Sequence, residues 1–238
     1  MKHSRSLPLL LLAAGTAACG LEGSSPGELG NGAFAYRCAG NTDAWCESPW
    51  HYGNKPRLAI GAPFAVDYDD TALGSSYVES AAPGRLAFSR GRFAFLRQGP
   101  AAVLAVDHVG VVRDFFHLDG EAIDSIELVR AEAGQLQGTA PSQQLTADPW
   151  AIEPLAQVVI GAGERIGLFG YPVAADGDVL AGSAPWGFSV EPAGIVAVEA
   201  ALGDNVAHLE PLAAGSATLF VRAGDAVREI PVHVEVGP

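Results

Sequence analysis

The densest group of side chains that could do chemistry is Asp67-Tyr68-Asp69-Asp70-Thr71. Clustered carboxylates suit Ca²⁺, which takes about 6–8 oxygen ligands, so Asp67, Asp69 and Asp70 are candidates for a cation site. The run is read first as solvated acids at a strand end, because no glutamate closes a longer loop in the manner of an EF-hand. Asp176-Gly177-Asp178 has the composition of a hairpin turn. Asp107 and His108 are adjacent and could pair as base and acid, but no serine or cysteine is placed to use them. His117, His208 and His233 alternate with apolar residues, which puts them on the polar faces of strands. No Gly-x-Ser-x-Gly, no His-Glu-x-x-His and no phosphate-cradling glycine loop occurs. The chain is therefore read as a non-enzyme, with no catalytic residue and no cofactor.

The elements that must carry these residues are almost all strands. Phe34, Tyr36 and Cys38 alternate with Ala35 and Arg37, and Leu58 with Ile60, then Phe64, Val66 and Tyr68, repeat the period of two. Leu86 with Phe88, Phe93 with Phe95, Val103 to Val106, Val111 to Leu118 and Ile123 to Val129 continue it, although 121–132 could form a turn of helix. Gly and Pro punctuate the runs at short intervals, the pattern of a sandwich or barrel. Residues 131–148 lose aromatic content and gain Gln, Thr and Ser, and read as part of a linker. A second series then runs from Val158 to Val236. In it Pro231 removes a ladder donor and marks the last strand as an edge, or turns that position outward.

The halves look alike. Phe95 to Val106 parallels Pro211 to Val221, and Val112-Arg113-Asp114-Phe115 answers Val227-Arg228-Glu229-Ile230 at nearly constant offset. That argues for a duplicated domain, against chance likeness between Ala/Val-rich strands. Gly99 and Gly215 would then sit at equivalent turns that need positive φ.

At the N-terminus a basic stub (Lys2, His3, Arg5) precedes a short apolar run that ends in small residues. This is the layout of a secretory signal peptide. The apolar run of about eight residues falls far below the ~20 that span a bilayer, and no other segment is long and apolar enough. Ala17-Ala18-Cys19 resembles a bacterial lipobox, with Thr16 where that family usually carries Leu. The resemblance implies cleavage before Cys19 and acylation of its sulfur. Gly20, where an Asp would resemble an inner-membrane retention signal, implies the outer membrane. The alternative is an ordinary signal peptide cut nearby, with Cys19 incidental.

Three cysteines is an odd number for a secreted chain. Acylating Cys19 leaves Cys38 and Cys46, which read as a disulfide worth roughly 2–3 kcal/mol at most across so short a loop. A zinc site would need more soft ligands than His51, the only one near. The net charge is −13, and loss of Lys2 and Arg5 with the signal peptide takes it to −15. So acidic a chain is a poor partner for nucleic acid and is repelled by anionic membrane surfaces. The lipid would thus be its membrane grip.

The C-terminal half resembles bacterial immunoglobulin-like domains of group 2. Trp186 to Ser189, Val196-Ala197-Val198, Leu212 to Leu219 and the closing alternation Ile230 to Val236 carry the resemblance, over roughly 155–236. The chain departs from the pattern in an insertion-like stretch, Val173 to Ala184, and in lacking Ser-Ser after Trp186. Gly32 to Cys46 looks like the start of some bacterial lipoproteins. The expectation is an all-β protein of two tandem immunoglobulin-like β-sandwiches. The expected order is a signal peptide over 1–18, an acylated Cys and flexible tether over 19–32, and a first sandwich with its Cys loop over 33–131. A linker over 132–154 and a second sandwich over 155–238 complete it. The resemblance implies a lipid-anchored envelope protein acting as a structural, adhesive or interaction module, with a protein or polysaccharide ligand. The rivals are a secreted hydrolase whose site is assembled from scattered residues and a periplasmic assembly factor that donates a strand.

Overall fold

The computed structural model describes residues 24–37, 43, 56–70, 76–131, 154–200 and 205–235. Among these the secondary structure is all strand. In chain order the strands are β1 (Ser24–Pro26), β2 (Ala33–Arg37), β3 (Arg57–Ala59), β4 (Ala65–Asp69), β5 (Tyr77–Ser80), β6 (Leu86–Ser89), β7 (Arg92–Phe95), β8 (Gly99–Val106) and β9 (Val112–Glu121). They continue as β10 (Ser125–Ala131), β11 (Val158–Ile160), β12 (Ile166–Val173), β13 (Trp186–Glu191), β14 (Val196–Glu199), β15 (Val206–Pro211), β16 (Gly215–Ala223) and β17 (Ala226–Val234). No described helix is long and apolar enough to cross a membrane.

Alternation drives the layering. In β16, Ala217, Leu219, Val221 and Ala223 are buried, and in β17 Ile230, Val232 and Val234 face the same way. They pack with Ile126, Leu128, Ile166, Leu168 and Leu209 of the opposite sheet in one core. The two sheets are β11-β17-β16-β13 and β10-β12-β15-β14. Each large apolar side chain so buried contributes about 1.5–3 kcal/mol. The other core is more aromatic: Phe34, Phe64, Phe93 and Phe95 on one side meet Leu58, Val103, Phe116 and Leu118 on the other. Its sheets are β3-β9-β8-β5 and, opposite, β1-β2-β4, which the single Phe64–Phe93 bridge joins to β6 and β7.

The two pairs of sheets repeat one topology. β3 runs parallel to β9, as β11 runs parallel to β17, and β5 pairs antiparallel with β8 as β13 does with β16. The facing order β2-β4-β7-β6 has its counterpart in β10-β12-β15-β14. Gly99 and Gly215 open equivalent strands with φ of 104° and 149°, as the sequence match requires. The second matched segment is one residue out. Val103 faces Phe116 and Leu219 faces Ile230, so Phe116, not Phe115, is the counterpart of Ile230. A register irregularity between Ala105 and Val106 accompanies the slip.

Three other sequence expectations change. β10, expected to close the first sandwich at 131, pairs along its length with β12. The strands on either side of the expected 132–154 linker, β10 and β11, therefore belong to the two facing sheets of the same pair, as β2 and β3 do in the other. Within the 121–132 stretch, the described residues 121–131 hold the end of β9 and all of β10, not a helical turn. The run expected as a free tether is bound from Ser24 onward: β1 pairs with β2, and the Glu28 N–H donates to the Phe115 carbonyl at 2.9 Å.

Candidate functional site

The most elaborate polar constellation lies where the two pairs of sheets meet. Its centre is Arg57, the first residue of β3. The guanidinium reaches Glu121 at 2.8 Å, Asp176 at 2.6 Å and Asp178 at 2.8 Å. Glu121 ends β9, while the two aspartates come from the turn after β12. Gly177 has φ of 92°, and its N–H donates to the Ala174 carbonyl at 2.9 Å, which makes 174–178 the expected turn. Its acids are ion-paired across the junction while remaining exposed. The hydrogen bond it donates to Glu121 is the main reason the guanidinium is held above its ordinary pKa, with Asp178 and Asp176 adding to it. Arg57 in turn draws the Asp176 carboxyl below the ordinary aspartate value, helped by the Asp178 N–H.

Backbone contacts make the stronger link. The Ala59 N–H donates to the Ala181 carbonyl at 2.9 Å, and the Ala181 N–H to the Arg57 carbonyl at 2.7 Å. Ala181 thus extends the sheet past β3 as a parallel bridge to Leu58. Its side chain is fully buried in the aromatic core of the first pair of sheets. Around it Ala59, Ala62, Ala174, Leu180 and Ala184 form a small apolar cluster, with Ile123 against it. Small side chains let the two backbones approach. At Gly182 (φ +102°) a Cβ would lie 2.8 Å from that of Ala62, so both space and dihedral demand glycine.

Asp43 completes the junction. Its carboxylate is fully buried, accepts the Tyr36 hydroxyl at 2.5 Å and accepts the Gly182 N–H at 3.1 Å. Burial, then the charge of Asp43, pushes the Tyr36 phenol well above its ordinary value. This arrangement holds two bodies together. It offers no nucleophile beside a base. Sequence reasoning missed Arg57, Asp43 and Glu121, since nothing in their spacing says they converge. The departure of Val173 to Ala184 from the resembled pattern was the one legible signal.

The residues singled out from sequence lie elsewhere. Cys19, Cys38, Cys46 and His51 fall outside the described residues. Asp67 is ion-paired with Arg37 at 2.5 Å on the outer surface. Among the described residues no three His, Cys, Asp or Glu side chains gather to hold a metal. Asp107 does not act with His108. It accepts the N–H groups of Val109 and Val111, both at 2.9 Å, and Nε of Arg113 at 2.8 Å. The Val111 N–H is the largest cause of its lowered pKa. His117 meets Glu28 at 2.9 Å and His233 meets Ser216 at 3.1 Å, both exposed. Burial, aided by Arg165, lowers the pKa of His208, with Glu199 opposing.

No protein-family model matches the sequence, and no curated protein does. Among solved structures it is similar to domains 4 and 5 of the S-layer protein SbsC, with 13% identity and a TM-score of 0.34, over 76% of this chain and 94% of that one. It is also similar to the Escherichia coli adhesin FdeC, with 14% identity and a TM-score of 0.34, over 78% of this chain and 62% of that one. For InvD of Yersinia pseudotuberculosis the values are 12% and 0.30, over 75% and 55%. The chain thus spans less than two thirds of the FdeC and InvD structures.

Proposed function

We propose that the chain is a lipid-anchored, non-enzymatic module of the bacterial cell envelope, in which two immunoglobulin-like sandwiches are held in fixed relation for structural, adhesive or interaction work. The units are 24–121 and 125–234, Cys19 carries the lipid at the outer membrane, and Cys38 pairs with Cys46. The observation that carries the reading is the insertion of Ala181 into the first core. A backbone seam sealed by buried alanines suits a protein whose task is to hold surfaces in place. The lipobox-like run supports the anchor, and the net charge of −13 leaves the lipid as the means of attachment. Two acyl chains make detachment negligible, since each buried methylene contributes about 0.8 kcal/mol.

The test is metabolic labelling with a palmitate analogue in a bacterial host. The wild type partitions with membranes and takes the label; Cys19→Ala does neither. A Cys19→Ala protein that stayed membrane-bound and labelled would overturn the anchor. On the same preparations, thiol titration after denaturation finds none, and two free thiols would remove the disulfide.

A further inference from the structure

Tyr77 and Phe88, 51% and 41% exposed, are the two aromatic residues among the exposed large hydrophobic side chains of the described residues. Both line a single groove of about 610 Å³. Exposed aromatic surface gathered in one concavity marks a contact site more often than scattered apolar residues do. The groove wall includes Ser76, Tyr77 and Val78 in succession. Tyr77 and Val78 are consecutive in β5 and point to opposite faces, so a groove lined by both follows the strand's edge. Among the described residues that edge is unpaired: β5 ends its sheet and pairs on its other side with β8.

The opposite wall carries charge. Asp67 and Asp69 are two apart on β4 and project the same way. Arg37 is engaged with Asp67, so the Asp69 carboxylate adds net negative charge to the groove, as does the acidic chain around it. An unpaired strand edge, two exposed rings and the Asp69 carboxylate have one common complement. Main-chain groups of an extended peptide would continue the β5 ladder. Its alternate side chains would lie over the groove, where a Lys or Arg meets both the ring faces and Asp69.

We infer that this groove binds an extended, basic segment of a partner protein by strand addition to β5. This deepens the proposed interaction role and rests on it, but not on the anchor: loss of palmitate labelling would sink the lipid and leave the groove's affinity intact.

The test uses the full chain in non-ionic detergent and a fluorescein-labelled octapeptide of alternating Lys and Val, read by anisotropy. Saturable binding is expected, at least tenfold weaker for Tyr77→Ala and for Asp69→Asn, each with an unchanged melting temperature. Asp225→Asn, on the distant β16–β17 hairpin, leaves binding unchanged. A peptide with Glu for Lys binds at least tenfold more weakly, and backbone N-methylation at alternate residues abolishes binding. Absence of saturable binding, equal affinity for the Glu or N-methylated peptide, an equal effect of Asp225→Asn, or competition by a neutral maltohexaose would each overturn the proposal.

Discussion

Asp114 and Arg228 occupy the same place in the two repeated sheets, two residues before Phe116 and Ile230, yet carry opposite charge. Asp114 is fully buried and accepts the N–H groups of Leu29 at 2.8 Å and Asn31 at 2.9 Å, fixing the turn that leads into β2. Arg228 is half-buried and donates to the carbonyls of Ile126 at 2.5 Å and Leu155 at 2.7 Å, fixing β10 and the approach to β11. Both positions tie a strand of one sheet to backbone of the sheet that faces it. One meets donors and is an acid; the other meets acceptors and is a base. What is shared between the repeats is thus a backbone requirement, and the side chain is chosen to fit whichever backbone group faces it. A sequence match that seeks like residues at this place finds none.

The largest effect that separates the two is removal of the acid. Asp114→Ala takes the acceptor from the part-buried N–H groups of Leu29, Asn31 and Phe115, and hydrogen bonds to a charged acceptor contribute about 1.5–3 kcal/mol each. A loss on the order of 3 kcal/mol is expected, confined to the first unit. Arg228→Met leaves two carbonyls that water can reach in part, for about 1–2 kcal/mol. Denaturant unfolding of both variants measures the order. Equal losses would mean that the two positions are not used as described. Gly27→Ala should mimic the larger loss, since its Cβ would meet the Asp114 carboxylate at 2.1 Å.

The same pair explains what the sequence made legible. Period-two alternation exposed nearly every strand, and the Gly99 and Gly215 turns marked the repeat, because burial and positive φ each restrict residue type locally. The one-residue slip at Phe115 was not visible. A register irregularity leaves composition unchanged while turning each following side chain to the other face. The place of β10 was hidden for a related reason. An Ile/Leu/Val alternation says that a strand has a buried face, not which sheet supplies its neighbour. For the candidate site, Val173 to Ala184 stood out as a departure from pattern. Its docking against Arg57, Asp43 and Ala62 rests on contacts across 119 or more residues, which no local pattern encodes.

The seam gives the next, smaller test of how far the repeats are independent. Docked through Ala181, the two units should unfold as one calorimetric transition. Gly182→Val forces a side chain against Ala62 at a dihedral that a β-branched residue resists. It should split the transition in two by undocking 174–184. Arg57→Met removes three ion pairs. Because Asp176 and Asp178 are 58% and 60% exposed, the loss should be only about 1 kcal/mol and the single transition should persist. A split caused by Arg57→Met, with none from Gly182→Val, would make charge and not backbone packing the link.

The smallest effect lies in the two equivalent hairpin turns. β16 and β17 are joined by Gly224-Asp225 alone, with φ of 57° at Gly224, and need no side-chain support. β8 and β9 are joined by a longer loop that Asp107 organises through two N–H groups and Arg113. Those donors hold the Asp107 pKa below its ordinary value in the folded state. The stabilisation is therefore complete above the unfolded-state pKa and disappears as pH falls through the lower folded-state value. Melting of the wild type and Asp107→Asn should accordingly differ most at neutral pH and converge from about pH 4 downward. A difference that stayed constant through that range would assign the turn's stability to hydrogen-bond geometry alone, with ionisation of Asp107 contributing nothing.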